Sequence, residues 1–258
     1  MKNARNGEKV PVVGQSLEKL ESIVKEMGFP RFRAKQVFQW IYQHHIEKID
    51  EMSNVPKALL AKLSETHILH PLSLKLHTPS ELEPTEKFLF TVQSGEKIET
   101  VIMKDGKRNT ICLSTQIGCA VDCDFCATAK MGFQKNLSAG EIVDQFIQVQ
   151  RRTTLPITNI VFMGMGEPFL NYKNVILAAD LLNHSEGIGM GARRITISTA
   201  GIVPKIKQFA EEKHKYKLAI SLNAPNESRR ETIMPITKTH RLNDLMEAAN
   251  LYYESSGR

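Results

Sequence analysis

Three of the chain's four cysteines stand within a short run, Cys119-Ala120-Val121-Asp122-Cys123-Asp124-Phe125-Cys126, with the spacing C-x3-C-x2-C. Thiols clustered in this way read as metal ligands of a reducing compartment rather than as a secreted disulfide framework. Thiolates suit zinc and iron–sulfur centres. A closed structural zinc site takes four ligands, commonly from paired C-x2-C units. Here the only other cysteine is Cys112, upstream of the triplet, and no histidine lies inside or beside it. Three cysteines on a four-iron cubane leave one iron free of protein. That iron can chelate the amino and carboxylate groups of S-adenosylmethionine. An electron from the reduced cluster then breaks the sulfonium bond and releases a 5′-deoxyadenosyl radical, while the protein orients the chemistry. The expectation is a [4Fe–4S] cluster on Cys119, Cys123 and Cys126, with zinc as the alternative.

Further candidates follow the cysteines. Met163-Gly164-Met165-Gly166-Glu167-Pro168 ends a predicted strand. Glycines such as Gly166 let backbone approach a ligand, and the Glu167 carboxylate can accept from the ammonium of a methionine moiety. Ser198 and the run Ser221-Leu222-Asn223 end the next two strands, where hydroxyls and an amide suit ribose and carboxylate contacts. Each of these, taken alone, reads equally as a polar strand-to-helix cap. Cys112 has a plain reading as a small buried strand residue, and Glu99 as an outward carboxylate on a half-exposed strand.

The elements that must carry these groups show in the hydrophobic pattern. Leu17, Leu20, Ile23, Val24 and Met27 recur at helical spacing before Gly28, a second helix runs from about Ala34, and a third follows Pro56. These make a small helical N-terminal domain, residues 15–70, after a flexible tail, residues 1–14. Its surface carries Arg31, Arg33, Lys35, Lys57 and Lys62 with Phe32 and Trp40 interleaved. That is either a solvated face over core aromatics or an RNA-docking surface. Residues 71–109 read as a linker, Pro71 to Pro84, and a β-hairpin of Phe88–Val92 and Ile98–Met103 turning at Ser94-Gly95. From residue 110 to 258 strands and helices alternate, with strands near 110–114, 159–163, 194–198 and 217–222. Repeated strand–helix units give a parallel sheet with right-handed crossovers and working groups at the strands' carboxyl ends. The expected fold class is therefore α/β, a partial (β/α) barrel preceded by a hairpin extension and the helical domain.

No run of about 20 apolar residues is present to span a bilayer, and the polar N-terminus has no signal-peptide core. A cytoplasmic protein is expected. The net charge of +6 favours polyanionic partners only weakly.

Taken together, the chain resembles the RlmN/Cfr family of radical S-adenosylmethionine RNA methyltransferases, and its RlmN branch most. The resemblance is carried by Gly28-Phe29-Pro30-Arg31-Phe32-Arg33-Ala34-Lys35-Gln36-Val37, Gln116-Ile117-Gly118-Cys119, the triplet itself, Gly132-Phe133, Met163 to Pro168, Arg194 to Gly201, and Leu218 to Asn226. It implies a six-stranded radical SAM barrel, a [4Fe–4S] cluster and S-adenosylmethionine as cofactors, and methylation of C2 of adenine in 23S rRNA and in some members tRNA. An electron donor such as flavodoxin is implied with it. Gly166, Glu167, Ser198, Ser221, Leu222 and Asn223 fall at cofactor-binding positions, though related sequences often carry His at the place of Asn223. Glu99 matches the family's proton acceptor. Cys112 matches the cysteine that resolves the protein–RNA adduct by a transient disulfide with a second, methyl-carrying cysteine.

This sequence has no cysteine after Cys126 and four predicted barrel strands where the family has six. The expectation is a C-terminally truncated member whose open sheet edge needs covering. Two other readings stand beside it. One is an adenine-C8 methyltransferase of the Cfr branch, and the other a non-catalytic iron–sulfur or RNA-binding remnant.

Overall fold

The computed structural model describes residues 9–257. In chain order the elements are β1 (Val10–Pro11), α1 (Leu17–Glu26), α2 (Phe32–Tyr42), α3 (Lys57–Thr66), β2 (His67–Ile68), β3 (Leu72–Pro79), β4 (Thr85–Val92), β5 (Lys97–Asp105) and β6 (Arg108–Cys112). There follow β7 (Gln116–Ile117), β8 (Lys135–Asn136), α4 (Ala139–Gln150), β9 (Asn159–Phe162), α5 (Tyr172–Asn183), β10 (Ile195–Thr199), α6 (Val203–Glu211), β11 (Lys217–Ile220), α7 (Glu227–Ile233) and α8 (Leu242–Ser256).

The main sheet has the order β11-β10-β9-β6-β5-β4-β3. β6, β9, β10 and β11 run parallel, and β3, β4 and β5 continue the same sheet antiparallel. The period of two decides the faces. Ile98, Thr100, Ile102, Ile111, Ile160, Phe162, Ile195 and Ile197 are buried, and the residues between them, among them Val101, Cys112, Val161 and Ser198, are half-exposed or exposed. One face therefore packs on helices, and the other stays open as a concave surface. Leu222 follows β11, which forms one edge of the sheet.

Two parts of the expectation need correction. The segment read as a linker holds β3, paired antiparallel with β4 from Leu72↔Val92 to Pro79↔Glu86. Leu72 and Leu74 give it an apolar anchor, and Pro79 is tolerated because an edge strand can do without that N–H. The expected hairpin is there as β4 and β5, and β3 adds a third antiparallel strand that carries the same sheet outward from β6. The tail read over 1–14 is only partly open to description, since residues 1–8 lie outside the described part. Val10–Pro11 pairs with His67–Ile68, and Val12 and Val13 are buried with their amides on the carbonyls of Ile68 and Leu69. Apolar content at 10–13, not tail-like polarity, drives that docking.

α4 is the pivot of the packing. It starts at a capping box, with the Ser138 hydroxyl accepting from Glu141 N and Glu141 accepting from Ser138 N at 2.7 Å. It is buried from Ala139 to Val149, polar residues included. Burying polar groups is tolerable only when they are partnered. Gln145 accepts from Thr100 and from the Ser114 amide and donates to the Ser114 carbonyl, tying α4 to β5 and to the end of β6. Asp144 accepts from the Leu72 amide, from Gln148 and from the His70 ring. The other ring nitrogen of His70 faces the Ile46 carbonyl at 2.9 Å. Both neighbours are acceptors, so both nitrogens must donate, and the ring is an imidazolium.

His70 therefore latches the N-terminal helices to the barrel. Burial opposes its charge, but the Asp144 carboxylate and the Ile46 carbonyl outweigh burial and raise its pKa above the usual value. A raised folded-state pKa means stabilisation that is complete below the unfolded pKa, about 6.5, and lost as pH climbs through the folded value. Replacing His70 by Gln is expected to cost about 2 kcal/mol at pH 6 in denaturant unfolding. The gap to the parent chain should narrow steadily above pH 6.5; a gap independent of pH would remove the imidazolium from the account.

Candidate active site

The four parallel strands end around one cavity of about 270 Å³. Ligand sites of α/β folds form at this end because loops there are free of the sheet ladder. Register explains which side chains arrive. Val101 pairs with Cys112, Cys112 with Val161, Val161 with Thr196, and Ser198 with Ala219. Counting in twos from these pairs places Glu99, Cys112, Ser198 and Ser221 on the same concave face. The cavity wall itself includes Cys119, Cys123, Cys126, Gly166, Glu167, Ser198, Ser221 and Asn223.

The cysteine loop is held by backbone geometry. Gly118 has φ +71°, and a Cβ there would lie 1.6 Å from the Gly132 carbonyl oxygen, so the two ends of the loop meet only through glycine. Within the loop, Cys126 N donates to Cys123 O at 3.0 Å, and Asp124 N donates to Ile233 O at 2.9 Å. Val121, Ala200 and Met234 form a small buried apolar cluster against which Cys119 and Cys123 pack. The cysteine loop is thus clamped from outside by α7 and the turn after it.

All four cysteines are free thiols. Burial pushes the Cys119 thiol up. Burial, then the neighbouring Cys119 and Cys126 thiols and Glu167, push Cys123 up to about 11. A bound cation reverses this, because metal coordination holds thiol ligands deprotonated. The donor set, three sulfurs in one cavity wall with no fourth cysteine and no histidine among its lining, fits a four-iron cubane with an open corner. A closed tetrahedral zinc site would need a fourth donor. Among the described residues no group of three or more Cys, His, Asp or Glu is drawn together as for a single metal ion.

Gly166 and Glu167 form the opposite wall. Gly166 has φ +97°, and a Cβ there would meet the Gln116 Cβ at 2.4 Å. Gln116 reads this turn, accepting from Glu167 N at 2.8 Å and donating to Asn136 at 2.7 Å. Glu167 is buried, with one carboxylate oxygen accepting from Phe169 N at 3.0 Å and the other from Ala200 N at 2.7 Å. Burial raises its pKa, and the Ala200 amide, the Thr199 hydroxyl and the Phe169 amide act against the rise.

The other candidates are placed apart. Glu99 lies on the concave face outside the cavity lining, ion-paired with Lys87 at 3.2 Å, and its amide faces the Met165 sulfur. Cys112 sits two strands in from Glu99's outer neighbour, its thiol pushed by burial up to about 11 despite the Met163 amide. It has no disulfide partner, so the expected bond is absent from this chain. Leu222 does not line the cavity; its side chain is exposed and its carbonyl accepts from Arg230. The sequence reading missed α7 with Arg230, as well as Met234 and the turn-reading role of Gln116. The signal for α7 was Asn226, which caps it by accepting from Arg229 N.

Comparison with known proteins agrees with this geometry. Residues 10–69 match the ribosomal RNA large subunit methyltransferase N-terminal domain, and residues 113–258 match the Radical SAM superfamily. A protein of Bacillus cytotoxicus named probable dual-specificity RNA methyltransferase RlmN is 41% identical over 100% of this chain and 72% of its own length. A protein of the same name from Bacillus velezensis is 42% identical over 94% of this chain and 67% of its own. The crystal structure of a radical SAM methyltransferase from Sphaerobacter thermophilus superposes with a TM-score of 0.93 at 40% identity, covering 96% of this chain and 74% of that one.

Replacing Glu167 by Gln keeps the shape but turns an NH2 group toward a backbone N–H donor. Thermal or denaturant unfolding of the metal-free chain is expected to show a loss of about 1–3 kcal/mol. Unchanged stability would mean that the carboxylate does not organise this wall.

Proposed function

We infer the reaction from one premise: this chain belongs to the RlmN family of radical SAM RNA methyltransferases. The family uses a [4Fe–4S] cluster and S-adenosylmethionine. We propose that the chemistry of this site is directed at C2 of adenine in 23S rRNA and tRNA. The observation that carries the reading is the convergence of three thiols, Gly166 and Glu167 on one cavity at the strands' carboxyl ends.

In this reading Cys119, Cys123 and Cys126 hold the cluster. Gly166, Glu167, Ser198, Ser221 and Asn223 bind S-adenosylmethionine, with Leu222 contributing its backbone to the same loop. One-electron cleavage of the sulfonium bond is the chemistry that the loaded centre supplies. Adenine C2 is electrophilic and carries no acidic hydrogen, so ordinary nucleophilic methyl transfer fails there. Radical addition followed by proton removal needs a base. Glu99 serves as that base on the concave face. Its Lys87 partner is half-exposed and can be displaced by RNA. Cys112 serves as the resolving thiol, and burial keeps it protonated until a base takes its proton.

RNA docks on the N-terminal helices, residues 15–70. Phe32 is 59% exposed, and the Arg33 guanidinium lies 4.6 Å from its ring centroid. Lys62 stands over Phe29. An exposed ring beside cations supports stacking and phosphate contacts. Trp40, by contrast, is half-buried and donates to Asn54, which is a structural role. Among the described residues no helix is long and apolar enough to cross a membrane. We place the protein in the cytoplasm, with a flavodoxin-type electron donor.

Methyl transfer by the family's route calls for a second thiol besides Cys112, and the other three cysteines of this sequence are the proposed cluster ligands. The decisive assay on this chain is therefore cofactor cleavage. Reconstituted without oxygen and reduced with dithionite, it is expected to bind about four irons and to convert S-adenosylmethionine into 5′-deoxyadenosine. Cys123→Ala should abolish both. Cleavage that survives this substitution would sink the assignment. Mass spectrometry of 23S rRNA and tRNA from cells with and without the gene then sets the position. Loss of 2-methyladenosine on deletion is the expected result, and loss of 8-methyladenosine instead would transfer the chain to the C8 branch.

A further inference from the structure

Arg230 on α7 is fully buried, among the largest side chains with no solvent contact. A buried guanidinium is normally met by a carboxylate. This one is not. Nε donates to Leu222 O at 3.2 Å, Nη1 to the Thr237 hydroxyl at 2.7 Å, and Nη2 to Ala200 O and to Ser221 O at 3.3 Å. All four acceptors are neutral. Three of them are carbonyls just past the ends of β10 and β11, next to Thr199, Ser221 and Asn223 in the cavity wall. Burial works against its cationic form and lowers its pKa, with Cys123 acting weakly the other way. Met234, one helical turn beyond Arg230, completes the apolar floor on which Cys119 and Cys123 rest, and its amide bonds back to Arg230 O at 2.7 Å.

The missing counter-charge has a chemical identity. A cluster held by three thiolates is a net anion and grows more negative on reduction, so a fixed cation beside it favours the reduced state. We propose that Arg230 is a positioning residue for this centre: its planar fork fixes the carboxyl ends of β10 and β11 through their carbonyls, and its charge, held on the Ala200 carbonyl behind the apolar floor on which Cys119 and Cys123 rest, raises the reduction potential of the cluster. The proposal rests on the radical SAM reading of the cavity and adds a residue to it that touches neither substrate nor metal.

The chain reconstituted with iron and sulfide tests it by potentiometric titration, followed by electron paramagnetic resonance, with S-adenosylmethionine affinity measured alongside. Arg230→Gln keeps much of the hydrogen bonding without the charge. It should retain the cluster while the reduced-to-oxidised ratio at fixed potential falls about tenfold, a midpoint about 59 mV lower for one electron. Arg230→Lys keeps the charge without the fork. It should hold the parent midpoint but bind S-adenosylmethionine several-fold more weakly. An unchanged midpoint in the Gln variant overturns the electrostatic role. Should the Gln variant fold too poorly to take up iron, the Lys variant decides: parent-like cofactor affinity there overturns the positioning role. If the unsubstituted chain takes up no iron, the radical SAM reading itself falls, and Arg230's role with it.

Discussion

Three thiols must stand together, half-buried, at the mouth of a sheet, although burial opposes ionisation of Cys119 and Cys123 and the neighbouring thiols add to it. The surrounding structure is organised around that constraint. Gly118 allows the loop to close against Gly132, the Val121, Ala200 and Met234 cluster supports it from beneath, and α7 clamps it through the Ile233 carbonyl. None of these contacts compensates the charge problem. Coordinated iron does, and this makes the loop a site whose chemistry is completed by its metal.

Rigidity at the cavity comes from further out. Ser114, at the end of β6, is fixed by Gln145 of α4 and bonds the Met165 amide, so the turn carrying Gly166 and Glu167 is referenced to the helix layer. The same helix holds the N-terminal domain through Asp144 and His70. One buried helix therefore connects the N-terminal helices to the wall that holds Gly166 and Glu167, and its polar residues are partnered on both sides. A site on the ends of several strands needs such a shared reference, because an error of about 1 Å in one strand misplaces one contact and not the others.

Much of this was legible from residue types. The C-x3-C-x2-C spacing identified the loop, the alternation in Ile195–Thr199 identified a half-buried strand, and the turn signals located the strand ends where Ser198, Ser221 and Asn223 stand. What stayed hidden had physical causes. β3 carries prolines at both flanks and exposed side chains from Leu76 onward, so its pattern is that of a linker; only pairing with β4 makes it a strand. Arg230 in a polar heptapeptide helix looks like a surface charge, and its burial follows from tertiary packing alone. Glu99 and Cys112 were recognisable through resemblance, and the shared sheet face that relates them depends on register, which a single strand does not reveal.

The proposed centre is a cubane held at three corners by protein, with the fourth iron open to the cofactor. Mössbauer spectroscopy of chain reconstituted with 57Fe, recorded before and after adding S-adenosylmethionine, addresses it directly. One iron site is expected to separate from the other three and to shift when the cofactor binds. Four sites that stay indistinguishable and unmoved, or protein that takes up zinc in place of iron, would contradict it.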